Sequence, residues 1–334
     1  MASDQPKFLK RIIMPKVSVI VPVYGVEKYI ERCTRSLFEQ TLDDIEYLFI
    51  DDCTPDKSIE ILKRVLDEYP LRKQQVIIHR MEQNSGQAAV RKWGILNATG
   101  DYIIHCDSDD WVDVTMYEKL YNKAIEEDAD MVVCDWYRSN GISHCVESQF
   151  NEIREKTNFL KKLISGRVHG SVWNKLIHAR IAKREDIVYP QHNMLEDLVL
   201  TLQYIHVSNR FAFVKEPLYY YYQNPQSIVR SVGLEAAEKR FIQRQANMRL
   251  ILTYMQQWED YCEYKDELVA LKQYSRCDLE PFLHRQSVFK QWSRTFSEIN
   301  SAILTHQNFS LYYKIRYLLC WFRIYPLLIR AKNM

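Results

Sequence analysis

Between Val17 and Trp136, short β-rich runs alternate with segments of helical period, and this alternation constrains the fold more than any other feature of the chain. It is the pattern of a parallel sheet covered by helices. The strand candidates are Val17 to Val23, Tyr47 to Ile50, Val76 to His79, Tyr102 to Cys106 and Met131 to Cys134. Helix candidates lie between them at Glu27 to Gln40, Asp56 to Tyr69, Gln87 to Asn97 and Val114 to Glu127. The polar junctions Pro22-Val23-Tyr24-Gly25, Asp51 to Asp56, Asn84-Ser85-Gly86 and Asp107 to Asp110 all follow strands, so they should converge on one rim. Open α/β sheets bind ligands at that edge.

The fourth junction is the most acidic. Tyr102 to Cys106 is an apolar run that ends in Asp107-Ser108-Asp109-Asp110, three carboxylates within four positions. Oxygen ligands at that spacing suit Mg2+ or Mn2+, which keep sites open for substrate phosphates. The same acids, with Asp113, also suit the cap and first turn of the helix that follows. On the other junctions, Tyr24 offers a ring on which a base stacks, and Asp52 an acceptor for the imide of uracil. Each has a structural alternative: Tyr24 fills a core, and Asp51 or Asp52 caps the helix after Pro55.

Composition narrows the classes. A formal net charge of +2 gives no general drive toward nucleic acid. The eight cysteines are scattered without a C-x-x-C pair and read as reduced core residues. His79, His105, His169, His178 and His192 are not spaced as a helical ligand pair, which argues against zinc, and His105 is expected in the core beside the acids. No G-x-G-x-x-G, P-loop or Gly-x-Ser-x-Gly element occurs. The N-terminus has no secretory pattern, so the expected compartment is the cytoplasm.

From Asn151 to Asn224 the pattern is less regular. Helices are expected near Phe159 to Ser165 and Leu195 to Ser208, with β-like runs at Phe211 to Val214 and Leu218 to Tyr222. The four tyrosines Tyr219 to Tyr222 suit a strand with rings on both faces. Beyond Ser227 no convincing strand remains. The expected organisation is a basic extension over 1–15, a sheet domain over 16–226 and a helical C-terminal region over 227–334. The sheet domain divides into a nucleotide-binding half at 16–136 and an acceptor-side half at 137–226.

These blocks resemble a family 2 inverting glycosyltransferase of the GT-A type, a Rossmann-like, mostly parallel sheet flanked by helices. The matching text includes Lys16 to Tyr24, Ser36-Leu37-x-x-Gln40-Thr41, Asp51-Asp52-x-Thr54-x-Asp56, Asn84-x-Gly86-x-x-x-x-Arg91, Ala98-x-Gly100-Asp101 and Asp107-x-Asp109-Asp110. Trp173-Asn174-Lys175-Leu176 and Glu196-Asp197 are similar to bacterial polysaccharide members. The resemblance implies that Pro22, Val23, Tyr24 and Glu27 border the nucleoside, with Asp52 facing uracil. Gly86, Arg91, Asp107, Ser108 and Asp110 would lie near the donor, and Asp109 with Asp107 would hold Mn2+ or Mg2+. Asp197, with Glu196 orienting it or acting in its place, would be the base. Gly25 and Lys92-Trp93 depart from the asparagines common in the family. The implied reaction moves a hexosyl or N-acetylhexosaminyl group from a UDP-sugar to a glycan or lipid-linked acceptor. A Mg2+-dependent nucleotidyltransferase and a non-catalytic membrane-associated assembly module are the competing readings.

After Glu298 the chain contains no Asp or Glu, while Lys314, Arg316, Arg323, Arg330 and Lys332 interleave with apolar residues. In the tail, 308–330, Leu311, Ile315, Leu318, Leu319 and Phe322 make one helical face with Arg316 and Arg323 opposite. Charges interrupt it too often for a bilayer span, and it suits a helix lying on the inner membrane surface or packing on the protein. Lys7, Lys10 and Arg11 beside Phe8, Leu9, Ile12 and Ile13 add to the membrane reading.

Overall fold

The computed structural model describes residues 14–148, 153, 155–225, 232–307 and 309–332; the cluster expected around Lys7 to Ile13 lies outside them. Among the described residues nine strands form one sheet: β1 (Val17–Val23), β2 (Ile45–Asp51), β3 (Val76–Arg80), β4 (Tyr102–His105), β5 (Trp111–Val112), β6 (Met131–Ser139), β7 (His144–Glu147), β8 (Lys175–His178) and β9 (Phe211–Tyr222). Through the sheet half run helices α1 (Ile30–Phe38), α2 (Ser58–Asp67), α3 (Gln87–Asn97), α4 (Met116–Glu126), α5 (Lys156–Ile164), α6 (Ala179–Ala182) and α7 (Glu196–Val207). The C-terminal region carries α8 (Leu234–Met255), α9 (Lys265–Tyr274), α10 (Gln286–Arg294), α11 (Ile299–Thr305), α12 (Leu311–Trp321) and α13 (Tyr325–Lys332).

Strand order is β3-β2-β1-β4-β8-β6-β9-β5, with β7 also paired to β6. The first four strands pair in parallel. All seven residues of β2 and six of the seven in β1 are buried, which is why both read as nearly continuous apolar runs. Beyond β4 the sheet becomes mixed. β8 enters antiparallel between β4 and β6, β9 runs parallel to β6, and β5 closes the edge antiparallel to β9. Strand β9 is continuous where two runs were expected, and it absorbs the break as a register shift opposite Asp135. Strands β5, β7 and β8, which were not expected, have two to four residues each, too few to show a period.

One core cluster packs sheet residues against α3, α5 and α7, and extends into α8 and α9 through Met248, Ile251, Met255, Leu268 and Leu271. The other joins the sheet to α1, α2 and α4. A third, including Phe241, Leu283, Trp292, Ile303 and Tyr317, belongs to the C-terminal helices. Helix α8 therefore serves two cores, the first through Met248 and the third through Phe241.

Helix α1 starts at Ile30, three residues later than its pattern suggested. The preceding loop is held instead by β2–α2. The N–H of Gly25 donates to Thr54 Oγ1 at 2.9 Å and that of Glu27 to Asp56 Oδ2 at 2.9 Å, with Gly25 at φ +68°. A glycine accepts that left-handed conformation without a Cβ penalty.

Candidate functional site

The ends of β1, β2 and β4 supply the rim. After β1, Tyr24 is 50 % exposed, with Pro22 half-buried and Val23 buried beneath it. The Glu27 carboxylate accepts from the N–H of Lys57 at 3.2 Å, so this loop and the one after β2 brace each other. At the end of β2 the two acids divide their work. Asp51 accepts from Thr54 N–H at 2.7 Å and from Arg80 at 2.8 Å. Asp52 accepts from the N–H groups of Ser85 at 2.7 Å and Gly86 at 2.8 Å. An ionised carboxylate has about four lone-pair sites, so a uracil N–H would use those that Ser85 and Gly86 leave.

Gly86 opens α3 at φ +83°, and a Cβ there would stand 2.7 Å from Oδ1 of Asn193. One turn on, Arg91 is fully buried and gathers three carboxylates. Its guanidinium lies 2.8 Å from Asp107, 3.4 Å from Glu196 and 3.3 Å from Asp197. Gln87 adds a 3.3 Å bond to the same Asp107 oxygen. The acid at the end of β4 and the acids at the start of α7, ninety residues apart in the chain, thus meet on one cation. Glu196, buried beside Asp197, is pushed well above the ordinary carboxylate range by burial first and by that neighbour second, with Arg91 opposing. Burial also raises Asp107 against the pull of Arg91.

Asp109 has a different setting. It is half-buried, accepts from Asn224 Nδ2 at 2.9 Å, and its pKa is raised by burial and then by Asp107. Arg91 already balances Asp107, and the carboxylate bond recorded for Asp109 comes from a neutral amide, so the donor set fits a hard cation at Asp109. Among the described residues no three side chains of metal-ligand type cluster tightly enough to hold an ion alone. Mg2+ or Mn2+ takes one or two carboxylates and draws its remaining ligands from phosphate and water. Asp110 turns inward. It is buried, accepts from the Tyr219 hydroxyl and the Tyr222 N–H at 2.6 Å each, and so fastens the acidic loop to β9. Ser108 is buried between the acids, and His105 is buried beneath them, where burial and then Arg91 hold its pKa well below the usual histidine range.

Sequence reading missed several members of this rim. Arg32 of α1 donates to the carbonyl of Asp109 at 3.0 Å and stacks 3.6 Å over Trp111. Tyr29 donates to Asn224 Oδ1 at 3.3 Å, which brings the 24–29 loop against the Asp109 side. Asn193 accepts from the N–H of Ala88 at 3.2 Å. Beneath Asp197, Lys175 is buried with its ammonium on His169 O, Ser171 O and Asn174 Oδ1, and burial brings it down to about 7, with Asp197 opposing. The pairings of Arg32, Tyr29 and Asn193 span distant segments, whereas those of Lys175 are local; Tyr29 and Lys175 stood in the text shared with the family, without a role attached.

The contacts form a closed circuit. Loop 24–29 touches loop 54–58, Asp52 touches 85–86, α3 touches Asp107 and α7, and Asp109 returns through Asn224 to Tyr29. The rim thus brings a half-exposed aromatic, Tyr24, a half-buried carboxylate, Asp109, and the acid pair Glu196 and Asp197 onto one edge of the sheet.

The family model for glycosyl transferase family 2 matches residues 18–185. The chain is 31 % identical to the uncharacterized glycosyltransferase EpsJ of Bacillus subtilis (strain 168) over 246 residues, covering 71 % of this chain and 70 % of EpsJ. It superposes on residues 1–349 of S. aureus TarS, solved in complex with UDP-GlcNAc, with a TM-score of 0.71 at 19 % identity, covering 95 % of this chain and 92 % of that one. It also superposes on the mannosyltransferase PcManGT of Pyrobaculum calidifontis, solved with GDP-Man and Mn2+, with a TM-score of 0.55 at 13 % identity, covering 96 % and 88 %.

Proposed function

The chain belongs to glycosyl transferase family 2 and has its GT-A-like fold, and from that premise we propose that it transfers a hexosyl or N-acetylhexosaminyl group from a UDP-sugar. The acceptor is a glycan or a lipid-linked precursor of a surface polysaccharide, met on the cytoplasmic face of the membrane. Family membership removes the nucleotidyltransferase and the non-catalytic module as readings. The UDP preference draws on TarS, which was solved with UDP-GlcNAc, and on Tyr24 and Asp52 at the two loops where a uridine would lie.

The observation that carries the mechanism is the shared cation: Asp107 and Asp197 both lie on buried Arg91. This links the donor-diphosphate side of the rim rigidly to the acid at the start of α7. Asp197 is the base that takes the acceptor hydroxyl proton, opposite the departing UDP. Glu196 is held toward its neutral form by burial and then by Asp197, with Arg91 opposing, and so stands beside the proposed base as its positioning partner. Asp109, with Asp107 in support, is the residue for Mn2+ or Mg2+; when bound, the ion supplies Lewis-acid stabilisation of the charge developing on the diphosphate. Tyr24, Pro22, Val23 and Glu27 border the nucleoside, and Arg91, Gly86, Ser108 and Asp110 shape the donor side.

A panel of nucleotide sugars with Mn2+ tests the proposal through binding and slow hydrolysis to the nucleoside diphosphate. UDP-sugars are expected to give the signal, and Asp109→Ala to abolish it. Asp197→Asn is expected to keep donor binding and to lose about 10^2 to 10^4 in transfer. Absence of any UDP-sugar signal, or undiminished transfer in Asp197→Asn, would refute it.

A further inference from the structure

Helix α12 is attached to the body by the side that its pattern would have given to water. Arg316 pairs with buried Glu280 and lies 4.9 Å over Tyr325, and Arg323 lies 4.4 Å over Phe289. Tyr317 and Cys320 are buried in the C-terminal core between them. The opposite face is left outside. Leu311 is 73 %, Ile315 47 %, Leu318 37 % and Phe322 67 % exposed, at helical spacings of four, three and four, and on the adjoining α13 Leu327 and Leu328 are each more than half exposed. Monomeric surfaces rarely leave so continuous an apolar ridge in water. No helix among the described residues is long and apolar enough to cross a membrane, and α12 and α13 have only 11 and 8 residues.

We propose that α12 and α13 dock this protein on an anionic phospholipid surface, apolar ridge inward. The charge around the ridge selects that occupant. Lys314 lies on α12, and α10 packs against α12 through Phe289 and Trp321 at 5.8 Å while exposing Arg285 and Lys290 at its start and flank. From Ile299 onward the sequence has no carboxylate side chain to oppose them. A symmetric contact with a second copy would bring this basic rim against itself. Lipid phosphates would instead neutralise it while the acyl boundary takes the leucines and Phe322. The proposal goes beyond the donor reading and involves no sugar nucleotide.

Flotation of the full chain with vesicles tests it. The protein is expected to float with phosphatidylglycerol-containing vesicles and much less with phosphatidylcholine alone. Phe322→Glu and Leu318→Glu, both exposed positions, are expected to cut the floated fraction by about tenfold while UDP-sugar hydrolysis stays at the parent level. Lys314→Glu should give a smaller loss that raised salt reproduces. Failure of the parent protein to float, or equal flotation of Phe322→Glu, would overturn the proposal and leave the donor assignment standing. So would a dimer in sedimentation that Phe322→Glu dissolves while the parent ignores the vesicles, since the ridge would then be covered by a second copy.

Discussion

The hydroxyl of Tyr219 holds the acidic loop at two points: it donates to Asp110 at 2.6 Å and accepts from the N–H of Asp107 at 3.0 Å. Its ring is buried and stacks on Trp173 at 4.2 Å, so nothing about the phenol is free to readjust. Tyr219→Phe leaves the ring in place and strands two buried partners, and an unsatisfied buried group costs about 1–3 kcal/mol. The expected loss is ~2 kcal/mol in urea unfolding, with a raised KM for the donor because the backbone that carries Asp109 loosens. Tyr220→Phe is the control. That ring faces the other side of β9, stacked 5.1 Å from Trp111, and its loss of a hydroxyl should stay within about 0.5 kcal/mol. Equal stability and equal KM in Tyr219→Phe would remove this residue from the support of the site.

At the scale of elements, the acid junctions are built on strained turns. Cys53, next to Asp52, sits at φ +57°, and Leu195, which precedes Glu196 and caps α7, at φ +68°. A left-handed residue other than glycine costs roughly 1–2 kcal/mol, and such strain persists where packing imposes it. Gly86 at the start of α3 avoids that cost, and its N–H reaches Asp52. Gly86→Ala is expected to destabilise by ~2 kcal/mol or more from two sources, the backbone angle and a collision with Asn193. Asn193→Ala removes the collision but also the acceptor for Ala88 N–H. In a double-mutant cycle the pair should therefore cost less than the sum of the singles. Simple additivity in urea unfolding would mean that strain alone accounts for the glycine.

The same elements explain how far the sequence could be read. Strand β1 and helix α3 were placed to the residue because β1 is a nearly unbroken apolar run and α3 spaces its buried residues at helical intervals. The motif text was legible as text, yet part of it is structural. Gly100 lies at the far end of β1, where a Cβ would stand 2.8 Å from the backbone nitrogen of Ser18. Gln40 joins the carbonyls of Ser36 and Asp113 and accepts from the N–H of Tyr117. Asp109 and Asp197 stood out through their acid clusters, whereas Arg32, Asn193 and Asn224 did not. Those side chains acquire meaning only from partners 77, 105 and 115 residues away. The tail shows the limit from the other side: its apolar and basic faces stood in the text, but which of them packs on the body did not, because Glu280 and Phe289, the partners of the arginines, lie in other elements.

For the whole molecule, the carboxylates gathered on one side of the sheet set a pH dependence. Glu196 is the clearest case, raised well above its usual 4.5 by burial and by Asp197. A group whose folded pKa is raised binds its proton more tightly in the folded chain, so its contribution to stability is complete below the ordinary value. That contribution is lost as pH climbs through the folded value. The protein without donor should therefore lose melting temperature as pH climbs above the ordinary carboxylate range, and Glu196→Gln, which cannot ionise, should flatten that decline. At the acid end the two proteins converge, since both are then uncharged at this position. Parallel melting curves across the range would mean that Glu196 is ionised beside Arg91 in the folded state. The same comparison bears on the proposed mechanism: a neutral Glu196 predicts that Glu196→Gln keeps transfer activity where Asp197→Asn loses it, because the first substitution leaves the proposed base untouched.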